Sequence, residues 1–274
     1  MAQGIHTFVE RGTVIERLNP LTKVAAVFVF GLAALIWPDP WLGLALIVVV
    51  FVIAFVARIG VSFTKIMVGF GIPITVMLMF IQGLYSPKNR TVIADFGFAQ
   101  LGLEGVMYAA KIIVVVMVFL GSFTIMNSTT YVGKLVAAMT DAGVNAKVGY
   151  LVLASLNVVP QMQRRMAVIQ EAQSARGLDV GGSLADRIKA SLPLLGPVVM
   201  SSLTDAQERG MTLETRGFGI RGVRQTSYVQ VGITRADRMV RVALAVFFAL
   251  VIVVSVLAYM GVVALPGDLT GGAR

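Results

Sequence analysis

Five stretches of this chain are too apolar and too long to suit the core of a soluble domain. They cover residues 21–37, 41–56, 66–85, 106–126 and 240–265. A helix crosses ~30 Å of hydrocarbon with about 20 mainly apolar residues, within a range of roughly 17 to 25. The first stretch sits at the lower edge of that range, the second just under it, and the last is the longest and cleanest. Charged residues make up only 14% of the chain and hydrophobic ones 57%, where a soluble domain carries about 25% charged. Lipid is therefore the medium that takes up the excess apolar surface.

Details inside the stretches sharpen this reading. The tripeptide "PDP" at 38–40 leaves room only for a hairpin turn between the first two spans. Gly69, Gly71 and Pro73 predict a kink or a close helix approach in the third. Lys111 lies near enough to the start of the fourth to snorkel. Before the first span, Glu10, Arg11, Glu16 and Arg17 interrupt any signal-peptide layout, so that span is expected to be retained.

Residues 128–239 are mixed in character. Two short apolar pieces, 148–159 and 192–200, read as helices lying along or dipping into the membrane, and a sixth, partial crossing stays open. The expected architecture is an all-α integral membrane protein of about five transmembrane helices, with long amphipathic cytoplasmic helices before the last one. Its divisions are an N-terminal segment (1–20), a four-helix transmembrane region (21–127), a cytoplasmic or membrane-surface region (128–239), a last transmembrane helix (240–265) and an external tail (266–274).

The net charge of +9 orients the chain. With a cytoplasmic N-terminus, nineteen Lys and Arg fall on the inner side and three, Lys88, Arg90 and Arg274, on the outer. Positive residues accumulate in cytoplasmic loops, so the large polar region faces the cytoplasm. The basic balance is topology rather than a sign of nucleic acid.

Several chemistries are excluded by absence. There is no cysteine, and His6 is the single histidine, so thiolate and histidine metal clusters have no ligands. No P-loop occurs: Gly133-Lys134 has Ser128 in place of the first glycine and Leu135 after the lysine. Ser128-Thr129-Thr130 and Ser201-Ser202 read as helix starts and close-packing positions, so no catalytic residue is expected. Beyond Lys111 no ionisable residue lies mid-span, which counts against the alternative of a stand-alone small-solute permease or channel.

The polar region instead carries an echo. "QSARGLDV" contains Ala175-Arg176-Gly177, and forty residues on "LETRGFGI" contains Thr215-Arg216-Gly217. Each closes an amphipathic segment: Met162, Met166, Ile169, Ala172 and Ala175 follow helical spacing in the first, and Leu203, Ala206, Gly210, Leu213 and Gly217 in the second. Arginine in a last turn complements the helix dipole, which accounts for either copy alone. Two copies beside small residues suit docking into a partner's groove, where a guanidinium grips a carboxylate bidentately. Arg164, Arg165, Arg187, Lys189, Arg221, Arg224, Arg235 and Arg238 read as a surface facing anionic lipid.

These segments, with "LNPLTKVAAVF", "LGLEGVMYAAKII" and "PLLGPVVMSSLTDAQERGMTLETRGF", resemble the transmembrane T component of energy-coupling factor (ECF) transporters, ABC-type importers of vitamins and transition-metal ions. The likeness spans nearly the whole chain. Asn19 and Leu21 stand where the family has Asp and Arg, and Thr215 where it commonly has Ala. The resemblance implies a non-catalytic scaffold without a cofactor of its own, ATP being bound by two partner ABC ATPase subunits. It implies that Ala175, Arg176, Gly177 and Thr215, Arg216, Gly217 dock those ATPases. It further implies a membrane-embedded S component that captures the substrate and reorients as the coupling helices change angle.

Overall fold

In the computed structural model, residues 11–84, 91–95, 100–177, 184–220 and 231–260 are described. The first ten residues, the predicted tail (266–274), the end of the last predicted span, and Arg221 and Arg224 lie outside them. In chain order the helices are α1 (Val14–Arg17), α2 (Pro20–Ile36), α3 (Pro40–Val56), α4 (Gly60–Leu78), α5 (Leu103–Thr129), α6 (Val132–Asp141), α7 (Ala146–Ala175), α8 (Leu184–Thr215) and α9 (Arg235–Tyr259). They fall into two compact units, residues 7–135 with 231–274, and residues 136–230.

The first unit holds the apolar helices. Proline at the first helical position starts both α2 and α3, where its missing N–H costs nothing. The α4 segment through Gly83, α5 and α9 are long and apolar enough to span a membrane, while α2 and α3 are apolar helices of 17 residues. The helix predicted over 66–85 begins earlier, at Gly60, carries Pro73 inside, and passes into a π-helical turn at Met79–Leu84. Helix α5 is the central post, packed against α2, α3 and α4. Val50 and Phe63 meet Ile125 and Met117 in one buried cluster, and Ala33 and Ala34 meet Val118 and Val251 in another. Gly121 makes the post fit: a Cβ there would stand 2.8 Å from Val50 Cγ1 and 3.2 Å from Phe63 Cζ. Phe51 and Phe63 close the contact edge to face, with centroids 5.0 Å apart.

The all-α membrane fold holds, with one small addition. A two-stranded antiparallel hairpin, β1 (Val92–Asp95) and β2 (Gln100–Gly102), precedes α5. Glu104 fastens its base, its carboxylate accepting from the Thr91 hydroxyl at 2.9 Å and from the Thr91 N–H at 3.2 Å. Three residues are too short a strand for periodicity to reveal.

A polar node ties the ends of three membrane helices. Lys23 in the first turn of α2 is almost fully buried and donates from Nζ to the carbonyl of Thr129, at the end of α5, at 2.7 Å. Fully buried Asp237, in the first turn of α9, accepts from the backbone N–H of Asn19 at 2.7 Å. Arg241 donates from Nε to the Thr22 hydroxyl at 2.8 Å. The "LNPLTK" stretch therefore works as a fastening, with Asn19, Thr22 and Lys23 each engaged. Thr129 sits at the end of α5, not at a helix start, and bonds back to Ile125; Ser201 and Ser202 likewise lie mid-helix and bond back to Val198.

The second unit holds α7 and α8, of 30 and 32 residues. The two short apolar pieces expected as separate surface helices are instead parts of these long ones: 148–159 lies in the first half of α7, and 192–200 within α8. Pro160 sits inside α7 without ending it. Asn145 caps α7, its side chain accepting from the Lys147 N–H at 2.9 Å.

Candidate docking ends on two long helices

Helices α7 and α8 run antiparallel. Tyr150, near the start of α7, packs against Phe218 just past the end of α8, with ring planes tilted at 55° and centroids 5.2 Å apart. Further along, Gln161 reaches both Asp205 and Arg209, and Met162 reaches Ser202. Rising residue numbers on one helix thus meet falling numbers on the other. The C-terminal ends, and with them the two arginine-glycine sequences, lie at opposite ends of the pair. Helix on the order of 35 Å long separates them, at 1.5 Å per residue.

Each end is stopped by the same backbone device. Thr215 is the last residue of α8, and Gly217 follows Arg216 with φ +72°. The Gly217 N–H bonds to the Glu214 carbonyl at 2.9 Å and the Phe218 N–H to the Leu213 carbonyl at 2.9 Å. That pair of bonds is a complete Schellman motif, which needs a left-handed residue where glycine stands. Ala175 is the last residue of α7, Arg176 is its C-cap, and Gly177 has φ +90° with its N–H on the Ser174 carbonyl at 3.0 Å. Arginine is thus held on the final turn, and the glycine bends the chain away from it.

Ala175, Arg176, Gly177, Thr215 and Arg216 are all exposed, and Gly217 is partly so. Among the described residues neither guanidinium meets a carboxylate of its own chain. The surroundings differ: nothing lies within 4 Å of where a Gly177 Cβ would be, whereas Gly219, two residues past Gly217, is packed against the Lys147 side chain.

The apolar row of α8 turns outward: Leu203 is 55% exposed and Ala206 is also exposed, so this row does not face α7 there. The row that does is polar: Ser202, Asp205 and Arg209. Arg165, grouped by its sequence neighbours with the lipid-facing arginines, forms an ion pair with Asp205. Gln161, Arg165, Asp205 and Arg209 are the functional candidates that sequence reasoning missed. The spacing of four within each pair was the available signal. Among the described residues no cluster of His, Cys, Asp or Glu could hold a metal ion.

Comparison with known proteins follows this geometry. The family model for CbiQ, described as a cobalt transport protein, matches residues 11–228. The chain belongs to the CbiQ family. Among its relatives is the energy-coupling factor transporter transmembrane protein of Bacillus selenitireducens, 29% identical over 94% of this chain and 97% of the relative. The protein of the same description from Leuconostoc gelidum is 27% identical over 91% of this chain and 96% of its own length. A Bifidobacterium longum protein described as an ABC transporter ATP-binding protein is 27% identical over 65% of this chain, in a match that covers 24% of that longer protein. The resemblance to the ECF T component is thereby established. This CbiQ member is a multi-pass membrane component of such a transporter, not its ATPase.

Proposed function

We infer that this chain couples two ABC ATPase subunits to a substrate-capturing membrane partner, so that ATP binding and hydrolysis drive import. The observation that carries this reading is the placement of Arg176 and Arg216. They are exposed arginines on two glycine-stopped helix ends, at opposite extremes of one antiparallel pair. Such a pair offers two separate attachment points rather than one composite site. The Bifidobacterium relative adds support, since sequence like this chain's recurs within a protein described as ATP-binding.

The chemistry is recognition. Each guanidinium offers five donors in a fixed fork that matches a carboxylate. A small neighbour, Ala175 or Thr215, lets the partner's surface close over it. The large polar region and the N-terminus face the cytoplasm, where the ATPases are. The apolar helices form a base in lipid, and the exposed apolar side chains of α7 and α8, including Leu151, Leu156, Val199 and Leu203, would lie against lipid or the S component. The cargo is selected by that partner and is a vitamin or metal ion.

The test is retention of ATPases by affinity-tagged chain purified from its own membranes, read as bound ATPase subunits and ATP hydrolysis. Arg176→Glu and Arg216→Glu should each weaken retention, and the double reversal should abolish it. Full retention in the double variant would overturn the reading.

A further inference from the structure

Where α7 and α8 meet, four polar side chains interlock from two successive turns of each helix. Arg165 pairs with Asp205. Gln161 donates from Nε2 to the same carboxylate at 3.2 Å, and Arg209 donates to Gln161 Oε1 at 2.5 Å. Arg165 and Asp205 are each 27% exposed, so the pair is half-buried and water replaces it poorly. The Ser202 hydroxyl points at Met162 Sδ, 3.7 Å away, beside the cluster.

The pattern resists sliding. Shifting α8 by one turn (about 5.4 Å) in one direction would set Arg209 against Arg165, cation to cation. A shift in the other direction would take Asp205 off Arg165 and leave a half-buried guanidinium unpaired, which is unfavourable. Turning about the cluster is different, because residues at the pivot of a rotation barely move. The ends move most. The α8 tip lies some eleven residues from Asp205, ~17 Å at 1.5 Å per residue, so a 15° turn carries it by ~4 Å. The described contacts that oppose such a turn near this tip are the Tyr150–Phe218 ring contact and the packing of Gly219 on Lys147.

We propose that the Arg165–Asp205–Gln161–Arg209 cluster is a fulcrum that fixes the register of α7 and α8, and that Tyr150–Phe218 is a catch that parts when the pair turns. The fulcrum stands on the geometry alone. The catch rests on the reading above, since ATPases bound at the tips supply the force.

The chain contains no cysteine, so paired cysteines report only where they are placed. In membranes holding the assembled transporter, two pairs are cross-linked with a short bifunctional reagent: Met162→Cys with Ser202→Cys at the fulcrum, and Tyr150→Cys with Phe218→Cys at the catch. Without nucleotide both should cross-link. With ATP and vanadate the catch yield should fall at least fivefold while the fulcrum yield stays constant. A transporter that retains its ATPases, hydrolyses ATP and shows an unchanged catch yield overturns the catch. Asp205→Ala should lower the fulcrum yield at least fivefold, and the exchange Arg165→Asp with Asp205→Arg should restore it. An unchanged yield in Asp205→Ala overturns the fulcrum. Should that variant not accumulate, Asp205→Asn with the exchange variant gives the same comparison. The fulcrum arm needs no nucleotide, so failure of the docking reading is seen separately in retention by the Arg176→Glu, Arg216→Glu double variant.

Discussion

Asp237 accepts the backbone N–H of Asn19 at 2.7 Å, joining two helix starts 218 residues apart in the chain. The same carboxylate closes a capping box with Thr234, whose hydroxyl donates to it at 2.6 Å. Replacing it by alanine leaves buried donors unmet at both helices. Asp237→Ala is expected to destabilise the protein by about 2–4 kcal/mol, a buried unsatisfied group and a lost cap together. Thermal unfolding in detergent measures it. Asp237→Asn, which keeps acceptor capacity, should lose less, and equal losses would argue against the bonding account.

Charge reversal at the tips should act on binding and leave folding intact. Truncating one partner of a desolvated charge pair costs about 2–5 kcal/mol. Arg176→Glu and Arg216→Glu should therefore each weaken ATPase affinity by roughly thirtyfold or more, while the chain still inserts and melts normally. A lower melting point in step with the weaker binding would assign the arginines to the fold.

Gly217 is required by its backbone. At φ +72° a Cβ is strained, and one there would also stand 3.1 Å from Ile220 Cδ1. Gly217→Ala should lose about 1 kcal/mol of stability and shift the direction of Arg216. If its ATPase affinity and melting point both match the natural chain, the Schellman stop has no bearing on the tip.

Arg58 presents the reverse case. It is the non-glycine residue with positive φ (57°) among the described residues, in the same kind of stop after α3, with Ile59 N–H on the Ala54 carbonyl at 3.1 Å. Arg58→Gly should raise stability by about 1 kcal/mol. A fall would mean that the exposed guanidinium contributes more than the strain costs.

The post-and-ring packing of the base gives a steric test. Gly121→Leu forces a side chain into space already held by Val50 and Phe63. Overpacking of this kind costs about 1–3 kcal/mol, read as a lower melting point, and pairing it with Val50→Ala should recover part of the loss.

The apolar helices were legible because unbroken apolar composition marks them, and three of the five are also long enough to span a membrane. Pro20 and Pro40 open helices within a residue of where composition placed them. The glycine stops were legible too, since Gly177 and Gly217 follow the last helical residues of their segments. What stayed hidden depended on partners distant in sequence. Local pattern gave only a hint, a capping-box spacing from Thr234 to Asp237 and a spacing of four from Gln161 to Arg165; the partners that bury these groups, Asn19 and Asp205, stand 218 and 40 positions away. The extent of α7 and α8 was obscured by Pro160, Pro193 and Pro197, which read as breaks but lie within helices. The hairpin before α5 was missed because its strands are too short to alternate.

The node at the start of α2 has an architectural consequence. The last turn of α5, at Thr129, and the first turn of α9, at Asp237, are both fastened to one helical turn, through Lys23 and Asn19. One stitch of backbone thus secures the frame twice, and loosening that turn would release α5 and α9 together.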